Sequence, residues 1–387
     1  MRSLILPALA PALALALAPP ALAASEPTQT ASEIRGPGDL DRAELLGEVE
    51  AILAKHAVPG AHVTLTMGPD IVLSRAFGTD PSAGGAPYTE QTPARLASAS
   101  KLLTALTVLS MVEEGTLSLD ETLGSLDADL PAHWHAIPIW RVLNHTSGIP
   151  MIVTREDFNA LSQEEQLALT PADLLAMIGS EPLDFAPGEG WHYQQGAYAL
   201  LTRSLEKRTG MAWTDLVAQH VTGPTAMAST GFAPLAQQAA AYEIKDGELV
   251  QRPGVYPAIF AAAGGIDTTP ADAAGLLLGL SQGRILTEET LRHVALDAER
   301  LHRLGRDVEG EGYGLAMVVQ RFGDLTFFGH SGGGGLADIR YAPGRQLGIA
   351  VLTNRAGGTG AATEIADLIA TRLVGDAHRT PRAATGS

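Results

Sequence analysis

The chain has 387 residues, 45% of them hydrophobic and 18% charged, a balance that suits a globular protein with a sizeable core, arranged as two lobes. Acidic residues outnumber basic ones, 43 to 26, and the net charge of −17 with no basic cluster argues against nucleic acid as a partner. There is no cysteine, which excludes disulfides and a cysteine-ligated metal.

Residues 1–23 combine an early positive charge at Arg2, an apolar run and the small-residue stretch Ala21-Leu22-Ala23. They are expected to be a signal peptide, cleaved after Ala23. The run is too short and proline-rich for a membrane span, which needs about 20 apolar residues. A periplasmic or secreted protein with no stable membrane span is therefore expected. Residues 24–38 are polar and proline-containing, and read as a linker.

Apolar residues at helical spacing predict a first amphipathic helix over 39–56. Two alternating runs around Gly68-Pro69-Asp70 then predict a β-hairpin. From 97 to 250 the pattern is helical and loop-rich, with a buried helix in KLLTALTVLSMVEEG and further helices near 171–179, 196–208 and 212–220. Near the end, GYGLAMVVQRFGDLTFFGH and GLADIRYAPGRQLGIAVLTN predict four strands with turns at Gly323-Asp324 and Pro343-Gly344. A last helix is expected over 361–374.

Strands at both ends with helices between them predict an α+β fold: an antiparallel sheet flanked by helices, with an inserted mostly helical domain. Residues 39–95 and 252–376 would form the sheet domain, 96–251 the helical domain, and 377–387 a disordered tail. The loops 151–170 and 296–311 carry no readable motif and are expected to set specificity.

Two serines compete for the role of nucleophile. Gly329-His330-Ser331-Gly332-Gly333 matches G-x-S-x-G, the elbow of α/β-hydrolases. An elbow leads into a helix, however, and the glycines 332–335 oppose one. Only His378 lies downstream to complete a triad. Ser331 as an α/β-hydrolase nucleophile is thus the disfavoured alternative.

Ser98-Ala99-Ser100-Lys101 instead opens the buried helix as an S-x-x-K motif. Residues three apart lie one turn apart on one helix face, so the amine reaches the hydroxyl. The helix N-terminus favours developing negative charge at Ser98. Lys101 is the only charge between Arg95 and Glu113, and desolvation lowers a lysine's pKa enough for it to act as a base. A second copy, Ser204-Leu205-Glu206-Lys207, sits among Arg203, Glu206 and Arg208 and is expected on a solvated helix surface. His133 and His135 show no familiar metal-ligand spacing; no metal and no cofactor are predicted.

In order along the chain, VPGAHVTL, LASASKLLTALTVLSMVEEGTLSLDETL, VLNHTSGIP, DFAPGEGWHYQQGAYALL, AAAGGIDTTPADAAGLL and GHSGGGG resemble the penicillin-recognising serine hydrolases related to class C β-lactamases. That group includes DD-peptidases, D-aminopeptidases and family VIII carboxylesterases. The resemblance covers roughly 40–375 and implies a β-lactamase/transpeptidase-like fold. Three boxes carry it: Ser98 and Lys101; Tyr193-Gln194-Gln195 where the family has Y-x-N; and His330-Ser331-Gly332 on a strand edge.

The resemblance implies a serine hydrolase working through an acyl-enzyme. Ser98 would be the nucleophile, Lys101 its base and Tyr193 a proton relay, with an oxyanion hole from the N–H groups of Ser98 and Gly333. Gln195, His330, Ser331 and Gly332 would bind substrate, a small molecule or a peptide such as a cell-wall fragment. His145 matches the family as a loop-holding residue. Gln195 is one methylene longer than the family's asparagine. His330 replaces the lysine of most β-lactamases, which weakens recognition of a carboxylate. Both departures favour D-alanyl carboxypeptidase, D-aminopeptidase or esterase action over β-lactam hydrolysis. A catalytically inactive wall-binding member of the same fold is the alternative.

Overall fold

The computed structural model describes residues 40–232, 239–252, 256–293, 300–302, 311–357 and 360–374. The expected signal peptide, linker and C-terminal tail lie outside them, as does most of the loop 296–311. Among the described residues, no helix is long and apolar enough to cross a membrane.

Helix α1, Arg42–Lys55, starts where Asp41 accepts from the N–H groups of Ala43 and Glu44, and it buries Leu45, Val49 and Leu53. Strands β1, Gly60–Met67, and β2, Asp70–Asp80, form the expected hairpin, turning through Gly68 at φ +54°. Short strands follow at β3, Ala86–Pro87, and β4, Ala94–Arg95. Helix α2, Ser100–Glu113, has every residue from Ser100 to Met111 buried. Helix α3 is Gly196–Thr209.

After β5, Gly231–Phe232, a hairpin that the sequence pattern does not announce pairs β6, Tyr242–Lys245, with β7, Glu248–Gln251. Strand β8, Ile266–Thr268, leads into helix α4, Pro270–Ser281, which Thr269 caps through the Asp272 N–H. The C-terminal strands are β9, Gly312–Gly314, β10, Met317–Phe322, β11, Leu325–Gly332, β12, Ala337–Ala342, and β13, Leu347–Thr353. Helix α5, Ala361–Val374, closes the described chain.

One antiparallel sheet joins both ends of the chain in the order β3-β2-β1-β13-β12-β11-β10-β9. The join is β1 against β13, with Val63 opposite Val351. The described residues belong to one compact unit, within which buried side chains form two main cores. One packs α1 and α5 onto a sheet face through Leu45, Val49, Ile365 and Ile369. The other surrounds α2 and α3 through Leu103, Leu106, Tyr198 and Leu201. A minor sheet, β4-β8-β5, brings Arg95 onto Asp267, both buried, at 3.0 and 3.3 Å. That bidentate pair fixes the chain three residues ahead of Ser98. The segment 151–170, expected as loop, instead carries short helices at Glu156–Asn159 and Gln163–Ala168, the second closed by a Ser162–Glu165 capping box.

Candidate active site

Ser98 sits in a 3-10 turn, Ala97–Ala99, that runs directly into α2. The turn is held from both sides. Leu96 N–H donates to Ile266 O at 3.0 Å, and the Ser100 hydroxyl accepts from the Ile266 N–H at 3.1 Å. Ala97 adopts φ +45°, a left-handed conformation unusual for a residue with a Cβ, which holds Ser98 out of the helix path.

The end of β11 lies against this turn. A Cβ on Gly332 would come within 1.8 Å of Leu96 O and 3.0 Å of Ala99 N, so only glycine permits the approach. Gly333 follows at φ +61°. The first and third boxes thereby share one wall of the site.

Lys101 is fully buried. Its Nζ donates to Ala263 O at 2.7 Å and lies 4.6 Å from the centre of the Tyr193 ring. Among the described residues no carboxylate pairs with it, and burial brings its pKa from an ordinary 10.5 down to about 7. Tyr193, half-buried, lines the same cleft as Ser98. Burial pushes its phenol well above the ordinary range; the Ser98 hydroxyl works in the opposite sense. The pair that results is a neutral phenol beside an amine that titrates near neutrality.

Ser98 and Tyr193 line a cleft of about 290 Å³ together with Trp191, Tyr313, Val318, His330, Ser331 and the glycines 332–334; Lys101 is buried against the Tyr193 ring and is not part of that lining. A second hollow, about 200 Å³ beside Arg345, holds none of them. Sequence reasoning did not find Trp191, Tyr313 or Val318. Trp191 stacks on His302 with the rings 5° from parallel at 5.6 Å. The signal that was available is the aromatic pairing of WHY at 191–193 with the GYG at 312–314, which the fold places together.

His330 is 5% exposed, with Nε2 at 3.0 Å from the Tyr313 hydroxyl and Nδ1 at 2.5 Å from Ser331 O. Burial, and then the nearby Lys101, takes its pKa down to about 3, against the opposing pull of the Ser331 carbonyl. His145, at φ +65°, reaches the other side of the same Tyr313 hydroxyl at 3.3 Å. Gln195 stands half-buried at the N-cap of α3 and is not among the residues lining the cleft. Its neighbour Gln194 points inward and donates to Ile149 O at 2.9 Å.

One further sequence expectation needs correction. Ser204 is not a surface residue: it is fully buried and donates to Leu200 O at 2.8 Å, because α3 packs that face against the core. Ser331 lies within β11, opposite Asp338 of β12, with a strand rather than a helix following, so the α/β-hydrolase elbow does not form. His378, its only downstream histidine, lies outside the described residues. His133 and His135 each donate from Nε2 to a backbone oxygen, that of Glu181 and that of Leu130 respectively. Among the described residues no histidine–carboxylate group is arranged to hold a metal ion.

An antiparallel sheet, a buried S-x-x-K helix and a glycine-lined strand edge define a protein of the β-lactamase/transpeptidase-like fold. The beta-lactamase family model matches residues 47–373, and the chain belongs to that family. It is 32% identical over 190 residues to penicillin-binding protein 4* of Bacillus subtilis, covering 48% of this chain and 39% of the relative. It is 29% identical over 228 residues to esterase EstB of Burkholderia gladioli, covering 54% and 57%. The chain thus spans less than two thirds of the length of these curated relatives. The structure of a D-amino acid amidase from Ochrobactrum anthropi, at 21% identity, superposes with a TM-score of 0.67 over 85% of this chain and 97% of that one, a similarity of fold.

Proposed function

We propose that this chain is an exported serine hydrolase that acylates and deacylates Ser98. The observation that carries the reading is the placing of Ser98 and Tyr193 at one cleft with buried Lys101 against the Tyr193 ring. Lys101, with a pKa near 7, serves as the base that accepts the Ser98 proton as its oxygen attacks a carbonyl carbon. Tyr193, a neutral phenol, gives its proton to the leaving group and is reprotonated with the one Lys101 took from Ser98, which restores both groups, and it later helps activate water. The N–H groups of Ser98 and Gly333 stabilise the oxyanion. Exposed Ser331 and buried Gly332, with His330, line the cleft and bind substrate, and Gln195 at the N-cap of α3 contributes to substrate binding.

The substrates are esters or amides, of the kind named in an esterase and a D-amino acid amidase, ahead of β-lactams. Export rests on the N-terminal sequence. The testing experiment compares wild type and Ser98→Ala on a p-nitrophenyl ester, with fluorophosphonate labelling mapped by mass spectrometry. The expected result is a label on Ser98 and loss of at least about a thousandfold in kcat in the variant. A label elsewhere, or Ser98-independent turnover, overturns the reading. No turnover and no label would favour a wall-binding protein.

A further inference from the structure

We propose that His145 and Tyr313 are positioning residues of a one-way hydrogen-bond chain that locks His330 as a neutral Nδ1–H tautomer, so that the cleft selects substrates whose leaving group carries no carboxylate. This rests on the serine-hydrolase reading above and names its substrate class.

Both ends of the chain are backbone groups, whose donor and acceptor roles are fixed. At one end the Gln194 N–H donates to His145 Nδ1 at 3.3 Å, so the proton of neutral His145 is on Nε2. That nitrogen lies 3.3 Å from the Tyr313 oxygen and donates to it. At the other end His330 Nδ1 faces Ser331 O at 2.5 Å and must carry a proton. His330 Nε2 is then a bare lone pair, and the Tyr313 O–H, 3.0 Å away, donates to it. Tyr198 packs on the His145 ring and commits its own proton to Leu143 O at 2.8 Å, so it donates none to Tyr313.

Every link therefore points from the second box to the third, and both nitrogens of His330 are occupied. The groups facing His330 add to this. Lys101 opposes a second positive charge, Tyr193 and Tyr313 are phenols that burial keeps neutral, and buried His145 is held neutral. None of the described residues lining the cleft carries a fixed positive charge. A leaving group laid along His330 meets aromatic rings, glycines and uncharged donors such as the Ser331 hydroxyl, with no cation to pair with a carboxylate.

The test has two arms. Selective ¹⁵N labelling of histidine, with His330→Gln to assign the signal, reads the tautomer directly and needs no catalysis. The expected result is a protonated Nδ1 and a bare Nε2 that do not titrate between pH 5 and 8. The second arm compares phenyl acetate with 3-acetoxybenzoate, which differ by a carboxylate on the leaving group. Wild type should favour phenyl acetate by at least about tenfold in kcat/KM, with a ratio flat in pH, since a carboxylate desolvated beside neutral groups alone forfeits the partner charge that would offset its burial. Tyr313→Phe should shift the His330 Nε2 signal and lower that ratio as pH falls.

A His330 that titrates in this range, or carries its proton on Nε2, overturns the proposal even if Ser98 is the nucleophile. So does a wild-type ratio near one. Equal losses on both substrates in Tyr313→Phe, without a spectral change at His330, would reduce Tyr313 to a packing residue. Loss of Ser98 labelling with the tautomer intact would fail the hydrolase reading alone.

Discussion

The chain contains the same four-residue motif twice, and the two copies have opposite fates. At 98–101 the serine lies in a turn facing a cleft and the lysine is buried against a carbonyl and two aromatic rings. At 204–207 the serine is buried within α3 and the lysine reaches out to Asp127 and Asp129. The hydrogen bonds and charges of these carboxylates hold Lys207 above its ordinary pKa, while burial alone brings Lys101 down to about 7. One spacing thus yields an amine that titrates near neutrality in one place and a lasting cation in the other. Desolvation and the absence of a counter-ion decide the chemistry; the motif only sets the reach.

The largest effect expected from breaking this contrast is at Lys101. Lys101→Met should lower kcat by about 10³–10⁴ if the amine is the base. In wild type, kcat/KM should rise with pH and level off above about 7, because the protonated amine cannot accept the Ser98 proton. The variant should lose that limb. It should also be more stable at pH 7, by roughly 2–4 kcal/mol, since each unit of depressed pKa costs about 1.4 kcal/mol and the amine keeps only a carbonyl partner. The sign follows from proton counting. Between about 7 and 10.4 the unfolded chain binds the proton that the native state lacks, so wild-type stability climbs with pH there. Denaturant titrations at pH 7 and 10 check it, and a destabilised variant would refute a desolvated lysine.

How much of this was readable from residues alone differs by element. The hairpin at Gly68-Pro69-Asp70, the buried α2 and the four C-terminal strands follow from local periodicity and turn chemistry, and all appear. The β6–β7 hairpin does not, because Tyr242–Lys245 is short and half exposed, with Ile244 pairing only Leu249. Lys101 was legible because sixteen of its neighbours along the chain carry no charge. The role of Tyr313 was not, since its partners His145 and His330 meet it only through the third dimension. Burial of Ser204 was missed for a related reason. Its charged neighbours Arg203 and Lys207 turn their heads to Asp127, just beyond the short helix Leu123–Leu126, and so do not mark an outward face.

A middle-sized effect is expected at the counter-ion of the second copy. Asp127 is fully buried at its side chain. Burial alone would raise its pKa, but the Lys207 bond, the Asp129 N–H and the charges of Arg203 and Lys207 outweigh that and lower it. Its stabilisation is present above the ordinary carboxylate range and lost as pH falls through the folded value. Asp127→Asn should cost about 2 kcal/mol at pH 7, the scale of hydrogen bonds to charged groups, and little at the acid end. Activity should be unchanged. A fall in kcat with stability intact would mean the second copy communicates with the cleft, and the contrast between the two would fail.

The smallest effect is at Ser204 itself, and it sharpens the comparison most. Its hydroxyl returns a bond to the i−4 carbonyl of Leu200, a group that already serves the helix ladder, so the bond adds little. Ser204→Ala removes that hydroxyl from a buried site, leaves no donor stranded, and improves helix propensity. Stability should therefore move by less than about 1 kcal/mol in either direction. Fluorophosphonate labelling and ester turnover should match wild type. The same atoms deleted at Ser98 should abolish both. If the chemistry resided in the four-residue pattern, the two alanine variants would each remove part of it. If it resides in the desolvated lysine and the glycine-lined cleft, only one of them does.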